Sequence, residues 1–219
     1  VIDLSADFRL KSIETYEEWY KVEHPKPEWL QEAVYGLTEH ARDEVKEADI
    51  VACPGCYPTS VLIPLNPIVK AGGVKPGSHI IADSKTGVSG GGRKAKLLYN
   101  HVEVQDNMTP YGIGQSHRHW AEMSEKLASW SNGDGPPELI FSPHLMAIPR
   151  GILSTIYVPL KDGWDAAKVR ALYENVYGDE PFVKVLPEGK TATIAHAVRS
   201  NRVAIGMTVA AGMLILTCR

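Results

Sequence analysis

Cysteine is the strongest carbon nucleophile this chain offers, and one of its three cysteines stands at a junction suited to chemistry. Asp49-Ile50-Val51-Ala52-Cys53-Pro54-Gly55-Cys56-Tyr57-Pro58-Thr59 is a β-branched apolar run that stops on a Pro-Gly turn signal and delivers Cys56 where a helix should start. A strand ending there fixes the thiol at a sheet edge. The unpaired N–H groups and partial positive charge of a first helical turn over 57–60 would favour the thiolate, the reactive form. Two other readings stand beside the nucleophile. Cys56 could be an inert buried thiol, as free cysteines commonly are. Cys53 and Cys56 could instead form a redox C-x-x-C pair, although the rest of the chain does not read as a small thioredoxin-like domain.

Further downstream, Ser116-His117-Arg118-His119 opens a helical pattern in which Met123, Leu127 and Trp130 share a face. A Ser116 cap puts His117 and His119 at the first turn, where a helix N-terminus keeps imidazole neutral. Two histidines two residues apart do not share a helix face, and no metal motif accompanies them, so no metal is expected. The most glycine-dense stretch, Ser84-Lys85-Thr86-Gly87-Val88-Ser89-Gly90-Gly91-Gly92-Arg93-Lys94, could bring backbone N–H groups to an anion. It lacks the Walker register, so ATP is not inferred, and a flexible linker is its bland alternative. Arg150, between Pro149 and Gly151, has the planar fork to clamp a carboxylate or phosphate. Arg9 sits with Ser5 and Asp7 in a loop at the carboxyl end of a strand, where open α/β sheets bind ligands. Surface ion pairs are the alternative for both arginines.

The elements needed to hold these groups are legible as patterns. A strand at 1–4, a helix at 12–20, a turn at 34–38 leading into a polar helix ending near Lys46, and the strand at 49–52 form a βαβ-like order suited to the later part of a parallel sheet. After Cys56, residues 59–70 place Val61, Leu62, Leu65, Ile68 and Val69 on a helical face, with a kink or break expected at Pro64 and Pro67. Strands follow at 78–83, 139–144 and 152–160, then a helix capped by Asp165, then strands at 182–186, 192–198, 203–209 and 213–217. The fold class is an α/β remnant of a Rossmann-like parallel sheet followed by an α+β catalytic domain with a mostly antiparallel sheet. The division falls at 1–56 and 57–219.

At 219 residues, 44% hydrophobic and 22% charged, the chain can bury a sizeable core and is neither disordered nor fibrous. A net charge of −3 without a basic block gives no reason to invoke nucleic acid. Three cysteines do not make an even disulfide framework, so a reducing, cytoplasmic setting is the default. The apolar tract 203–218 is too short for a membrane span and carries Gly206 and Ala211-Gly212, so it reads as two strands joined by a tight turn. No membrane partner is expected.

Six pieces together carry a family resemblance. They are Asp3-Leu4-Ser5-Ala6-Asp7-Phe8-Arg9, Val34-Tyr35-Gly36-Leu37, Pro54-Gly55-Cys56-Tyr57-Pro58-Thr59, Asp83-Ser84-Lys85-Thr86-Gly87-Val88-Ser89-Gly90, His117-Arg118-His119, and Pro143-His144-Leu145 with Arg150-Gly151-Ile152-Leu153. In this order they resemble the N-acetyl-gamma-glutamyl-phosphate reductases of arginine biosynthesis, within the wider semialdehyde and glyceraldehyde-phosphate dehydrogenase group. The resemblance implies that Cys56 is the acylated nucleophile and His117 the acid/base, with His119 less firmly placed. It puts Ser89, Gly90, Gly91 and Gly92 at an NADP cofactor, and makes Arg118, Arg150 and, more weakly, Arg9 holders of the substrate's anionic ends. The implied reaction is attack of Cys56 on an acyl phosphate, loss of phosphate, and reduction of the thioester to an aldehyde by NADPH. A homo-oligomer, dimer or tetramer, is implied as well. A reductase for aspartyl phosphate or an aminoadipate derivative, a non-catalytic module and a thiol-redox protein are the alternatives. Cys53 stands where the family usually has Asn, no G-x-G-x-x-G precedes Cys56, and the chain reads as an excerpt that by itself binds NADP poorly.

Overall fold

The computed structural model describes residues 1–92, 94–131, 135–197 and 199–219. The first unit is a small sheet of β1 (Ile2–Asp3), β2 (Val34–Tyr35) and β3 (Val51–Ala52), ordered β1-β3-β2 with both pairings parallel. Between its strands run α1 (Ile13–Tyr20) and α2 (Arg42–Glu47). Ser12 starts α1 by accepting the Thr15 N–H at 3.0 Å, a side-chain N-cap. The stretch read as a turn before α2 contains β2 and a short 3₁₀ segment at Thr38–His40. Gly36 permits the close strand approach, because a Cβ there would meet Val51 Cγ1 at 2.6 Å.

Helix α3 (Cys56–Lys70) follows β3 after three residues and is one continuous helix through Pro64 and Pro67, so the expected division into two shorter pieces does not occur. One missing bond is made good from far along the chain. Pro67 has no N–H for the Ile63 carbonyl one turn back, and the Tyr177 hydroxyl donates to that carbonyl instead. Tyr173 donates to the neighbouring Pro64 carbonyl at 2.5 Å. Both tyrosines lie on α6 (Ala166–Tyr177), started by Asp165, which accepts the Lys168 N–H at 2.8 Å. Replacing Tyr177 with phenylalanine leaves the Ile63 carbonyl without a donor, so stability is expected to fall by about 1–3 kcal/mol. A lowered urea midpoint with unchanged m-value checks this.

The second unit is a seven-stranded sheet built from β4 (His79–Gly87), β5 (Met108–Pro110), β6 (Glu138–Met146), β7 (Ile152–Pro159), β8 (Val183–Val185), β9 (Val203–Ala210) and β10 (Met213–Cys218). Its order is β5-β6-β4-β7-β10-β9-β8, with β4–β6 and β8–β9 parallel and the other four pairings antiparallel. The hairpin between β9 and β10 turns on Ala211 and Gly212, both at positive φ (49° and 74°), the geometry of a two-residue turn matched to strand twist. Residues 192–197 do not form the expected strand. They carry a 3₁₀ turn at Ile194–His196, and Val198 lies outside the described residues. A four-residue helix α4 (His101–Val104) precedes β5.

β4 explains how the sheet is used. Ile80, Ala82, Ser84 and Thr86 point to the helical layer and are buried, while Ile81, Asp83 and Lys85 face the opposite side. Helices α3, α6 and α5 (His119–Trp130) cover the first face. Helix α3 is buried on nearly every side, so burial extends beyond the one apolar face its sequence pattern marks. Ser60, Ser154 and Ser84 satisfy one another beneath it, at 2.8 and 2.6 Å, so the buried hydroxyls fix α3 to β7 and β4.

Candidate active site

Cys56 is the first residue of α3, with Gly55 in the capping position. Pro54-Gly55 does not turn. Residues 53–55 show neither turn nor bend, and Gly55 is extended at φ −63°, ψ 158°. Cys53 and Cys56 are both free thiols here, with no disulfide between them. Cys53 is instead tied into the backbone, its N–H donating to the Asp3 carbonyl and its own carbonyl accepting from Arg9.

The Cys56 side chain is exposed at the junction. Although Cys56 reaches solvent, desolvation by the surrounding protein pushes the thiol above its ordinary pKa, against the opposing pull of the Tyr57 and Cys56 N–H groups and of Arg9, with Glu122 adding to the rise. The helix start therefore does favour the thiolate as the sequence implied, but in the free chain desolvation outweighs it.

Helix α5 brings the histidines to this point. Ser116 does not cap it, and its hydroxyl donates to the Ile113 carbonyl at 3.1 Å. Arg118 occupies the capping position without a side-chain cap, and His117 Nδ1 accepts the His119 N–H at 3.1 Å. With Nδ1 an acceptor, the neutral ring carries its proton on Nε2. The His117 ring packs against Tyr57 (5.6 Å between centroids), Tyr111 (5.6 Å), Phe141 (5.5 Å) and His119 (4.9 Å). Burial, with help from Arg118, lowers its pKa to about 4. His119 is 7% exposed and its pKa falls to about 2, first through burial and then through His117, Arg118 and Arg9. Its Nε2 lies so close to Gly55 that a Cβ there would come within 2.9 Å, so only glycine fits before the nucleophile.

These histidines stay neutral in the fold while an unfolded chain protonates them below about 6.5. As pH falls from about 6.5 toward 4, the unfolded state takes up more protons at His117, His119 and His40, which burial also holds near 4. Stability is expected to fall across that window. A melting temperature that declines from pH 6.5 to 4, less steeply in His40→Asn, checks the sign.

Tyr57 and Tyr111 share a hydroxyl hydrogen bond of 2.9 Å, and burial raises both pKa values, that of Tyr111 to about 12. A Cys56 thiolate would raise both further. Thr86, near the end of β4, donates to the Gly87 carbonyl at 3.3 Å and abuts Gly90, where a Cβ would meet its Oγ1 at 2.5 Å. The Ser89 loop is a 3₁₀ segment, Val88–Gly91, rather than a linker. It is fastened to the Arg150 turn by three bonds, Gly87 N–H to Gly151, Val88 N–H to Ile148 and Ser89 N–H to Pro149, at 2.9, 2.9 and 3.1 Å. Gly91 packs on the Tyr99 ring where a Cβ would sit within 2.5 Å, and Gly92 has φ +77°. Ser89, Gly90 and Gly92 are exposed, so main chain here is open to a ligand; Arg93 lies outside the described residues. Arg150 is exposed beside this loop. Arg118 is exposed with its guanidinium 5.8 Å from the Tyr20 ring centre.

Arg9 is differently employed. Its Nε donates to the Cys53 carbonyl at 2.7 Å, its Nη2 to the Leu4 carbonyl at 3.3 Å, and its Nη1 faces Glu122 at 3.6 Å. Its guanidinium is thus committed to the junction rather than offered to a substrate. Glu122 was not singled out by sequence reasoning. The signal was there: a carboxylate three residues after His119 and beside Met123, on the inward face of an otherwise apolar stripe.

Cys56 opens a helix between Gly55, on which His119 packs, and Tyr57, whose ring meets those of His117 and His119, an arrangement that brings a thiol and two neutral imidazoles to one neighbourhood. Residues 56–219 match the family described as semialdehyde dehydrogenase, dimerisation domain, and the chain belongs to that family. It is 48% identical over 209 residues to an N-acetyl-gamma-glutamyl-phosphate reductase of Desulfotalea psychrophila, covering 95% of this chain and 59% of that protein. A protein of the same name from Janthinobacterium sp. is 44% identical over 207 residues, covering 94% and 59%. The chain therefore spans about three fifths of these curated relatives. An aspartate semialdehyde dehydrogenase II from Vibrio cholerae shares the fold, with a TM-score of 0.65 at 15% identity over 94% of this chain and 71% of that one.

Proposed function

We propose that the chain supplies the catalytic part of an NADP-dependent acyl-phosphate reductase, acting on N-acetyl-glutamyl 5-phosphate to give N-acetyl-glutamate 5-semialdehyde and phosphate. The observation that supports this reading is Cys56 at the start of α3, next to Tyr57, whose ring packs with His117 and His119 while His117 also meets Tyr111. The names of the relatives at 44–48% identity supply the substrate.

In this reading the Cys56 thiolate attacks the acyl carbon, and phosphate leaves as the thioester forms. The N–H groups at the start of α3 that lower the thiol pKa are positioned to steady the oxyanion of the tetrahedral intermediate. His117, with its proton on Nε2, donates to the reacting oxygen or to the departing sulfur. Arg150 and Arg118 hold the anionic ends of the substrate, which suits their exposure. The loop of Ser89, Gly90, Gly91 and Gly92, exposed at all but Gly91, would hold part of NADP, which supplies the hydride when bound.

The same reading assigns residues 1–56 to the end of the NADP-binding domain and 57–219 to catalysis and self-association in a cytoplasmic homo-oligomer. Its support is the parallel order of the first sheet and the family description. The sheet face away from α3 fits such an interface, being half-exposed and including a cavity of about 530 Å³ lined by Ile81, Asp83, His144, Tyr157 and Met213. Among the described residues no helix is long and apolar enough to cross a membrane. The test is phosphate-dependent NADP reduction by the full-length protein with N-acetylglutamate semialdehyde. The reading predicts turnover with this aldehyde, and preference for aspartate semialdehyde would overturn the substrate assignment.

A further inference from the structure

Helix α5 holds the strand that feeds the nucleophile. Glu122 is 1% exposed, and its Oε1 accepts both the Gly55 N–H at 2.9 Å and the Tyr35 hydroxyl at 2.6 Å. Its Oε2 faces Arg9, which in turn holds the Cys53 carbonyl. The backbone leading into Cys56 is thus gripped at two points by a buried pair. His119 lies one turn earlier on the same helix face, its Nε2 packed on Gly55 from the other side. A buried carboxylate is costly to keep, and an apolar side chain would fill this position at lower cost if packing were its only task.

We propose that Glu122 is a positioning residue that sets the distance between the Cys56 sulfur and the His117/His119 pair, by holding the Gly55 N–H from the helix that carries His119. The inference rests on the reading of Cys56 as the nucleophile. Its mechanism is geometric. Any slack at Gly55 moves the sulfur along the axis of α3 while the histidines stay with α5.

The test uses the full-length protein with Glu122→Gln and Glu122→Asp. Glutamine keeps an oxygen at the same reach to accept both donors, whereas aspartate keeps the charge but falls short by one methylene. Glu122→Asp is expected to lower kcat by about 10- to 100-fold with KM for the acyl phosphate changed less than about threefold, because misplacement by about 1 Å has effects of that size. Glu122→Gln is expected to stay within about fivefold of wild-type kcat. The rate at which iodoacetamide alkylates Cys56, followed by peptide mass spectrometry, should change in Glu122→Asp and not in Glu122→Gln. Wild-type kcat in Glu122→Asp, or an equal loss in both variants, overturns the proposal. If the wild-type protein has no reductase activity, the functional reading falls by itself. The alkylation rates then decide alone, with an unchanged rate in Glu122→Asp counting against the positioning role.

Discussion

Cys56→Ser in the full-length protein is expected to lower NADP-linked turnover by at least about a thousandfold while leaving the fold intact, since the nucleophile is lost outright. A hydroxyl is far harder to ionise than a thiol, and the site gives little help. Desolvation by the surrounding protein already pushes the Cys56 thiol above its ordinary range despite the helix-start N–H groups and Arg9. A serine there would stay a neutral alcohol at any pH the protein survives. The fold should tolerate the change because the side chain is exposed and the two residues are nearly isosteric. Initial rates with matched circular dichroism and melting curves separate loss of chemistry from loss of structure. Activity within tenfold of wild type would remove Cys56 from the mechanism.

His117→Ala is expected to lower kcat by about 10²- to 10³-fold, the size of effect seen when a donor to a developing oxyanion is removed. The ring is neutral above a pH of about 4, its Nδ1 is occupied by the His119 N–H, and Nε2–H is the proton left to give. Its surroundings of Tyr57, Tyr111 and Phe141 hold that ring edge-on, so the donor points in one direction. His119 is more enclosed and packs on Gly55, and its replacement should act by loosening the junction. Single-turnover measurement of thioester reduction tells these apart. His117→Ala should slow the chemical step even at saturating substrate, and an effect confined to KM would show that the ring only binds.

Local chemistry is what the sequence displayed best. Apolar β-branched residues before Pro54 and helix-start residues after Gly55 placed Cys56 at its junction without help from distant parts of the chain. Alternation in β4, β6, β7, β9 and β10 likewise marked the large sheet. What escaped depends on partners far along the chain. The Ile63 carbonyl that Pro67 leaves without a donor is taken up by Tyr177, more than a hundred residues later. Glu122 acquires its role from Gly55 and Tyr35, 67 and 87 residues away. Arg9 read as a substrate clamp because loop arginines at strand ends often are, whereas its neighbours Cys53 and Glu122 are brought in only by the fold. Ser116 does not supply the cap expected of it, because α5 starts further on, with Arg118 in the capping position and no side chain capping it. The Pro-Gly signal at 54–55 marked the end of β3 correctly but not its geometry, since extended backbone rather than a turn connects β3 to α3.

The parts now form one arrangement. A sheet junction delivers the thiol to a helix start, a second helix carries both histidines and the carboxylate that holds the junction, and β4 carries the glycine loop to the same place. Its central claim is that the acyl group passes through Cys56. The most direct measurement incubates the full-length protein with the acyl phosphate in the absence of NADPH, quenches in acid, and maps the modified peptide by mass spectrometry. The account predicts an N-acetylglutamyl adduct on Cys56 that hydroxylamine removes. Release of phosphate with no adduct on Cys56, or an adduct confined to Cys53, would contradict it.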